Sequence, residues 1–393
     1  MKIDFKKWLT QVTTEPESNY LTPSERLKVL LGCCLIHFVI GSIYAWSTLY
    51  PQILQITGWE QQTLIRGFAL TILFLGITAA FHQRFFDKWE YMPALAYGVI
   101  FWVATMALLV KNIQGETPDP ILHYLYSVLL GVGIGVLYVI PVNLITAVAF
   151  RPTIAAGTVV CCFGAGSIAA AQLFSTVNLA EFSTYGGIMV YGLVLIIALT
   201  IMAPQEWAFP QISKNSARSF IRDRNWYLLA LIFFFNIGIG ISLLSNLTNL
   251  TLERNLSMEW AVILVSLAGV ANTLGRFIYP SCSERFGEVT VVSMIADIQG
   301  VALILMMISS MFWIPSVIII LSAYGGLFAV MPGIMKKVYN SSAAYSQVLV
   351  CWGLAGIVCP IIFDLAGMSA LLIMGSALVI CSCNIRIKTD NIW

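Results

Sequence analysis

Arg276 lies within Trp260–Pro280, WAVILVSLAGVANTLGRFIYP, a stretch otherwise almost wholly apolar and long enough to cross a bilayer. An ionisable side chain at that depth costs several kcal/mol, so where one is kept it usually faces a protein-lined cavity. A fixed positive charge in such a cavity is suited to an anion. Asn272 stands one helical turn earlier, on the same face. The planar guanidinium fork matches a carboxylate in a bidentate pair, and Asn272 can hold the fork or donate to the same carboxylate. The competing reading is a structural arginine, paired with a helix carbonyl or with an acid such as Asp297.

Other polar residues in apolar stretches extend the candidate site. His37, Gly41, Tyr44 and Thr48 form one stripe on a first span, and a stripe of this kind should face a cavity rather than lipid. Tyr44 and Trp46 can shape a small pocket; the alternative for such aromatics is the interfacial belt. Tyr138, Tyr324 and Trp352 are the matching candidates from later spans, each with simple packing as its alternative. An ordinary histidine changes charge near physiological pH, so His37 reads as either a proton site or a packed histidine. Asp297, inside another span, is either a proton-coupling carboxylate or a scaffold acid held neutral or paired. Asp87, Lys88, Glu284 and Arg285 sit at helix ends, where they can latch a cytoplasmic gate through helix termini and each other. Solvated loop charges are the alternative there.

The elements that must position these residues follow from hydropathy. Mean hydropathy is +0.86, hydrophobic residues make up 59% of the chain and charged residues only 10%. A span needs about 20 apolar residues. Such stretches recur at 28–50, 64–81, 93–110, 121–149, 153–176 and 186–203, and again at 226–250, 259–281, 289–309, 312–332, 344–366 and 367–385. The sequence therefore predicts an all-α membrane protein of twelve transmembrane helices. The expected organisation is a cytoplasmic segment 1–27, a six-helix bundle 28–203, a polar linker 204–225, a second bundle 226–385 and a tail 386–393. Of the 21 Lys and Arg residues, seventeen fall on one side of this layout and only Arg66, Lys111 and Arg254 on the other. The positive-inside rule then places both termini in the cytoplasm. The first 27 residues lack the apolar core of a signal peptide; Phe5, Trp8, Leu9 and Val12 share a helical face that can lie on the membrane surface.

Several function classes are unsupported. There is no phosphate-binding loop, no Gly-x-Ser-x-Gly elbow and no cluster of acids or histidines in the spans, so no enzyme is expected. The nine cysteines have neither metal-ligand spacing nor positions in external loops, and read as small packing residues. No metal, cofactor or nucleic acid is expected.

The two halves repeat each other. Asp87-Lys88-Trp89 closes the second span as Glu284-Arg285-Phe286 closes the eighth. Cys162-Phe163-Gly164 in the fifth span is echoed by Cys351-Trp352-Gly353 in the eleventh, and each run reaches a later phenylalanine, Phe174 or Phe363, at the same distance. Duplicated six-span halves put a substrate near the bilayer midplane at the repeat interface. Gly131, Gly133, Gly135, Gly157, Gly164 and Gly166 permit close helix approach.

With these features the chain resembles the major facilitator superfamily. Within it, the chain resembles the oxalate/formate antiporter family and, more distantly, the monocarboxylate transporters. The resemblance rests on Gly41-Ser-Ile-Tyr44-Ala-Trp46-Ser47, on Gly131-Val-Gly-Ile-Gly135-Val-Leu-Tyr138-Val-Ile-Pro141, on Asn272-Thr-Leu-Gly275-Arg276, on Ser283-Glu284-Arg285-Phe286-Gly287 and on Trp352-Gly353-Leu-Ala-Gly356. It implies two pseudo-symmetric bundles and a secondary transporter in the plasma membrane (the inner membrane of a bacterium). The implied cargo is a small organic anion, a short monocarboxylate above all, exchanged for a counter-anion or carried with protons. The implied state is a monomer whose other partner is the bilayer. The rival expectations are an exporter of a larger amphipathic solute, such as a siderophore or drug, and a non-transporting membrane sensor. Some oxalate carriers of the family hold a lysine just before the eleventh-span glycine, where this chain has Trp352.

Overall fold

Each apolar run becomes a helix because a chain in hydrocarbon must satisfy its backbone groups within the segment. The computed structural model describes residues 21–85, 90–176, 178–181, 183–208, 222–339 and 342–385. Eleven helices among them are long and apolar enough to cross a membrane, and a shorter apolar helix, Met368–Cys383, completes twelve. The chain is an integral, multi-pass helical protein with two six-helix halves.

Sequence-encoded caps set the helix ends. The first span starts at Pro23 behind a reciprocal box: the Thr22 N–H donates to Glu25 Oε2 at 2.7 Å, and the Glu25 N–H donates to Thr22 Oγ1 at 3.3 Å. Asp119 caps the fourth span, Pro120–Val148, and Ser257 caps the eighth, Met258–Phe286. Gly287 (φ +81) and Gly367 (φ +57) take positive-φ backbone, open mainly to glycine, where the eighth span gives way to the ninth and the eleventh to the twelfth.

The first span departs from expectation. It is α-helical over Pro23–Ile40, 3₁₀ over Gly41–Leu49 and α-helical again over Tyr50–Thr57. Nine residues is long for a 3₁₀ segment, which seldom exceeds three or four and often marks a hinge. The tenth span also runs beyond the apolar stretch, to Tyr339, because Lys336 and Lys337 suit the negative end of a helix.

The described residues form two compact units. One draws on Met1–Ala155 and Cys162–Ser213, the other on Ala156–Cys161 and Lys214–Trp393. In the first unit the second and fourth spans pack most extensively, and in the second unit the eighth and tenth do. The close approaches are made by glycine. In the first unit Gly41 lies against the backbone of Phe163 while Gly166 lies against that of Phe38. In the second, Gly275 lies against Ser322 while Gly325 lies against Asn272. In both cases a glycine and its contact residue are three apart on each helix. A Cβ at any of these four glycines would collide with a main-chain atom that cannot move aside.

Candidate functional site

The second unit gathers most of the expected anion site around a residue that the sequence did not flag. Arg276 is 1% exposed; its Nη1 donates to the Val160 carbonyl at 2.9 Å and its Nε to Asn272 Oδ1 at 3.4 Å. Both of these acceptors are neutral oxygens. The guanidinium carbon stands 5.4 Å from the centre of the Phe328 ring. Phe328 in turn meets Tyr324 edge-on at 5.4 Å, Trp352 at 4.9 Å and Phe233 at 5.0 Å. Arg276, Asn272, Tyr324 and Trp352 are therefore neighbours, held by the tenth-span phenylalanine. All are buried, so the cluster is closed in this conformation.

Three further candidates, His37, Tyr44 and Tyr138, cluster in the first unit. His37 is fully buried; its Nδ1 lies 3.3 Å from the Cys33 carbonyl, and its ring is 5.0 Å from that of Tyr138. Phe163 joins them: it meets Tyr138 at 5.8 Å, His37 at 6.4 Å and Tyr44 at 5.0 Å. Phe163 occupies the position that Trp352 holds in the repeated motif, so the internal repeat carried a signal for it. Trp46 does not join Tyr44. Two residues apart on a 3₁₀ turn, they point about 120° from each other, and Trp46 lines a separate apolar cavity.

Asp297 also stands apart. It is exposed on the ninth span, Glu288–Ile308, beside exposed Met294, Val301 and Ile304, and makes no hydrogen bond or ion pair among the described residues. Inside that span, past the buried Glu288 at its start, the buried polar side chain is Gln299, whose Oε1 accepts from Asn236 Nδ2 at 2.7 Å. Asp297→Asn is thus expected to keep uptake within about twofold of the unmodified protein, under 0.5 kcal/mol. Uptake measured with and without a pH gradient checks this; loss of the gradient response in the variant would return Asp297 to the coupling role.

Of the expected gate residues, Asp87 and Lys88 lie outside the described residues. Glu284 is half-buried, and Arg285 is exposed with its guanidinium 5.4 Å from the Phe286 ring centre. The second unit fastens that end through other pairs: Lys337 with Glu288, and Tyr339, whose hydroxyl donates to Asp223 Oδ2 at 2.7 Å. Sequence reasoning overlooked both, because each joins residues more than forty positions apart.

Among solved structures the chain is similar to the E. coli fucose:proton symporter FucP, with a TM-score of 0.67 and 16% identity over 93% of this chain and 100% of that one. It is likewise similar to the human organic anion transporter MFSD10, with a TM-score of 0.69 and 12% identity over 93% of this chain and 100% of that one. The fold is that of the major facilitator superfamily. A third likeness, to the proton:xylose symporter XylE, has a TM-score of 0.65 at 12% identity and covers 92% of this chain and 95% of the other. No family model and no curated protein sequence matches the chain.

Proposed function

We propose that the chain is a secondary transporter that works by alternating access and carries a small organic anion, a short monocarboxylate first of all. Arg276 is the observation that supports this. It is a guanidinium buried in an apolar span, within hydrogen-bond reach of the Val160 carbonyl and the Asn272 amide oxygen. An incoming carboxylate would meet the guanidinium as a bidentate fork and pair its charge, which the two neutral acceptors do not. The aromatic ring of Phe328 and the neighbouring Tyr324 and Trp352 would then bound the non-polar part of a short acid. The burial of the whole cluster favours a small cargo over a bulky amphipathic one.

The likeness of the motifs to the oxalate/formate antiporters and monocarboxylate transporters points the same way, as does the organic-anion transporter among the solved structures. Two other similar structures are proton symporters. His37, buried against Tyr138, is the group we assign to proton coupling if the cargo moves with protons. The Lys/Arg distribution supports both termini lying in the cytoplasm. In this reading the protein acts as a monomer.

Counterflow in proteoliposomes tests the assignment. Vesicles loaded with unlabelled formate, acetate, lactate or pyruvate are expected to accumulate the labelled acid, and a pH gradient separates exchange from proton symport. Failure of every short monocarboxylate to drive counterflow would overturn the reading.

A further inference from the structure

The first and fifth spans each carry a cysteine doublet, Cys33-Cys34 and Cys161-Cys162, and the two members of each doublet have different surroundings. Cys33 turns its thiol to the Pro141 carbonyl at 3.6 Å, and Cys161 turns its thiol to the Thr273 carbonyl at 3.5 Å. Cys34 and Cys162 instead hydrogen-bond to each other, thiol to thiol. Both are half-buried rather than sealed in.

The helix register accounts for their meeting. The first span and the fifth, Pro152–Thr176, are both odd-numbered and so run in the same direction. Their backbones touch where Gly166 lies against Phe38 and Gly41 against Phe163. Cys34 stands four residues before Phe38, and Cys162 four before Gly166. One turn of helix is 3.6 residues, so each cysteine shares a face with the contact residue of its own helix. In parallel helices the same step back leaves the two thiols at one level, facing each other. A disulfide needs β-carbons about 3.5–4.5 Å apart, a separation that helices in backbone contact can offer.

We propose that Cys34 and Cys162 are a reversible disulfide site whose oxidant is a small hydroperoxide such as hydrogen peroxide. One thiolate attacks a peroxide oxygen; the O–O bond breaks, a sulfenic acid forms, and the departing hydroxide leaves as water with the proton that the thiol gave up. The second thiolate attacks the sulfenic sulfur. The S–S bond forms as the S–O bond breaks, and hydroxide again leaves as water with the second thiol's proton. Two electrons have then passed from the sulfur pair to the peroxide. The bond pins the first span to the fifth beside the aromatic cluster. His37 follows Cys34 by three residues and Phe163 follows Cys162 directly, and both meet Tyr138 while Phe163 also meets Tyr44. Oxidation therefore fixes that cluster, and reduction by a thiol frees it. The disulfide site does not depend on what the cargo is; only its effect on uptake rests on the transport reading.

Peptide mapping tests it. The full chain in proteoliposomes is treated with hydrogen peroxide, the remaining thiols are alkylated, and the digest is read by mass spectrometry, with fragment spectra assigning the linked member of each doublet. The expected product is a peptide that links Cys34 to Cys162 and is lost on reduction with dithiothreitol, while Cys33 and Cys161 stay alkylated. Cys34 and Cys162 both alkylated, each oxidised singly, or linked to other cysteines would overturn the proposal, and this comparison needs no variant to fold. Uptake by the same vesicles should fall on oxidation and return with dithiothreitol. Unchanged uptake by the linked protein would show that the bond does not govern the cluster. Cys162→Ser, a change of one atom, should take up cargo as the unmodified protein does and lose the response to peroxide; an equal peroxide response in this variant would place the sensitive group elsewhere. If no short acid drives counterflow, the cargo reading fails, and the peptide map alone decides the disulfide.

Discussion

Arg276→Gln is expected to lower uptake at least about 100-fold while leaving a folded, membrane-inserted protein. A bidentate guanidinium–carboxylate pair supplies two charge-assisted hydrogen bonds at about 1.5–3 kcal/mol each, and loss of even 3 kcal/mol is about two decades of affinity. Glutamine keeps a donor for the Val160 carbonyl and an acceptor for its surroundings, and it removes a charge whose burial is costly. The fold should therefore survive. Arg276→Lys should also transport poorly, because a point charge lacks the planar fork. The decisive comparison is counterflow beside thermal stability in detergent. Normal uptake by Arg276→Gln would remove the anion site. Loss of the folded protein would instead make Arg276 a structural residue whose task is to bind the Val160 carbonyl and Asn272.

The residues show how far the sequence could be read. Arg276 and Asn272 were legible because a polar pair inside an apolar span has few explanations, and one turn of helix fixes them on a common face. The helices themselves were legible because hydropathy measures the requirement that a span meets. Phe328 was not legible: a phenylalanine in an apolar span carries no signal, and its importance lies in ring contacts to Arg276, Tyr324 and Trp352 from three separate spans. The 3₁₀ segment was hidden for a related reason. Gly41–Leu49 is apolar throughout most of its length, so hydropathy reads it as ordinary helix, and over nine residues a period of 3.0 is hard to tell from 3.6. The pairing of Tyr44 with Trp46 rested on a shared motif, and neighbours two apart never share a helical face. Asp297 shows the converse limit. Hydropathy placed it within a span but could not say which side of that span it occupies.

The charge of the cargo gives the other large effect. The groups described against Arg276 are the Val160 carbonyl, the Asn272 amide and the Phe328 ring, with Tyr324 and Trp352 beside that ring. A monocarboxylate matches one cation. A dicarboxylate would bring a second negative charge into the same dry surroundings, and an isolated buried charge is heavily penalised. Oxalate or succinate is therefore expected to bind at least about tenfold more weakly than formate, lactate or pyruvate, the equivalent of about 1.4 kcal/mol. Trp352 offers a way to alter that balance. It is 1% exposed and packs edge-on against Phe328, which in turn lies beside Arg276. A lysine there would bring a second cation to the same aromatic group, at the cost of a large buried ring, a loss of about 3–5 kcal/mol in stability for truncations of this kind. In the fraction of Trp352→Lys protein that folds, preference should shift toward dicarboxylates. Competition at fixed pH decides the matter. If oxalate outcompetes every monocarboxylate in the unmodified protein, a single cation does not set the selectivity, and a protonated His37 becomes the first residue to examine as the second positive charge.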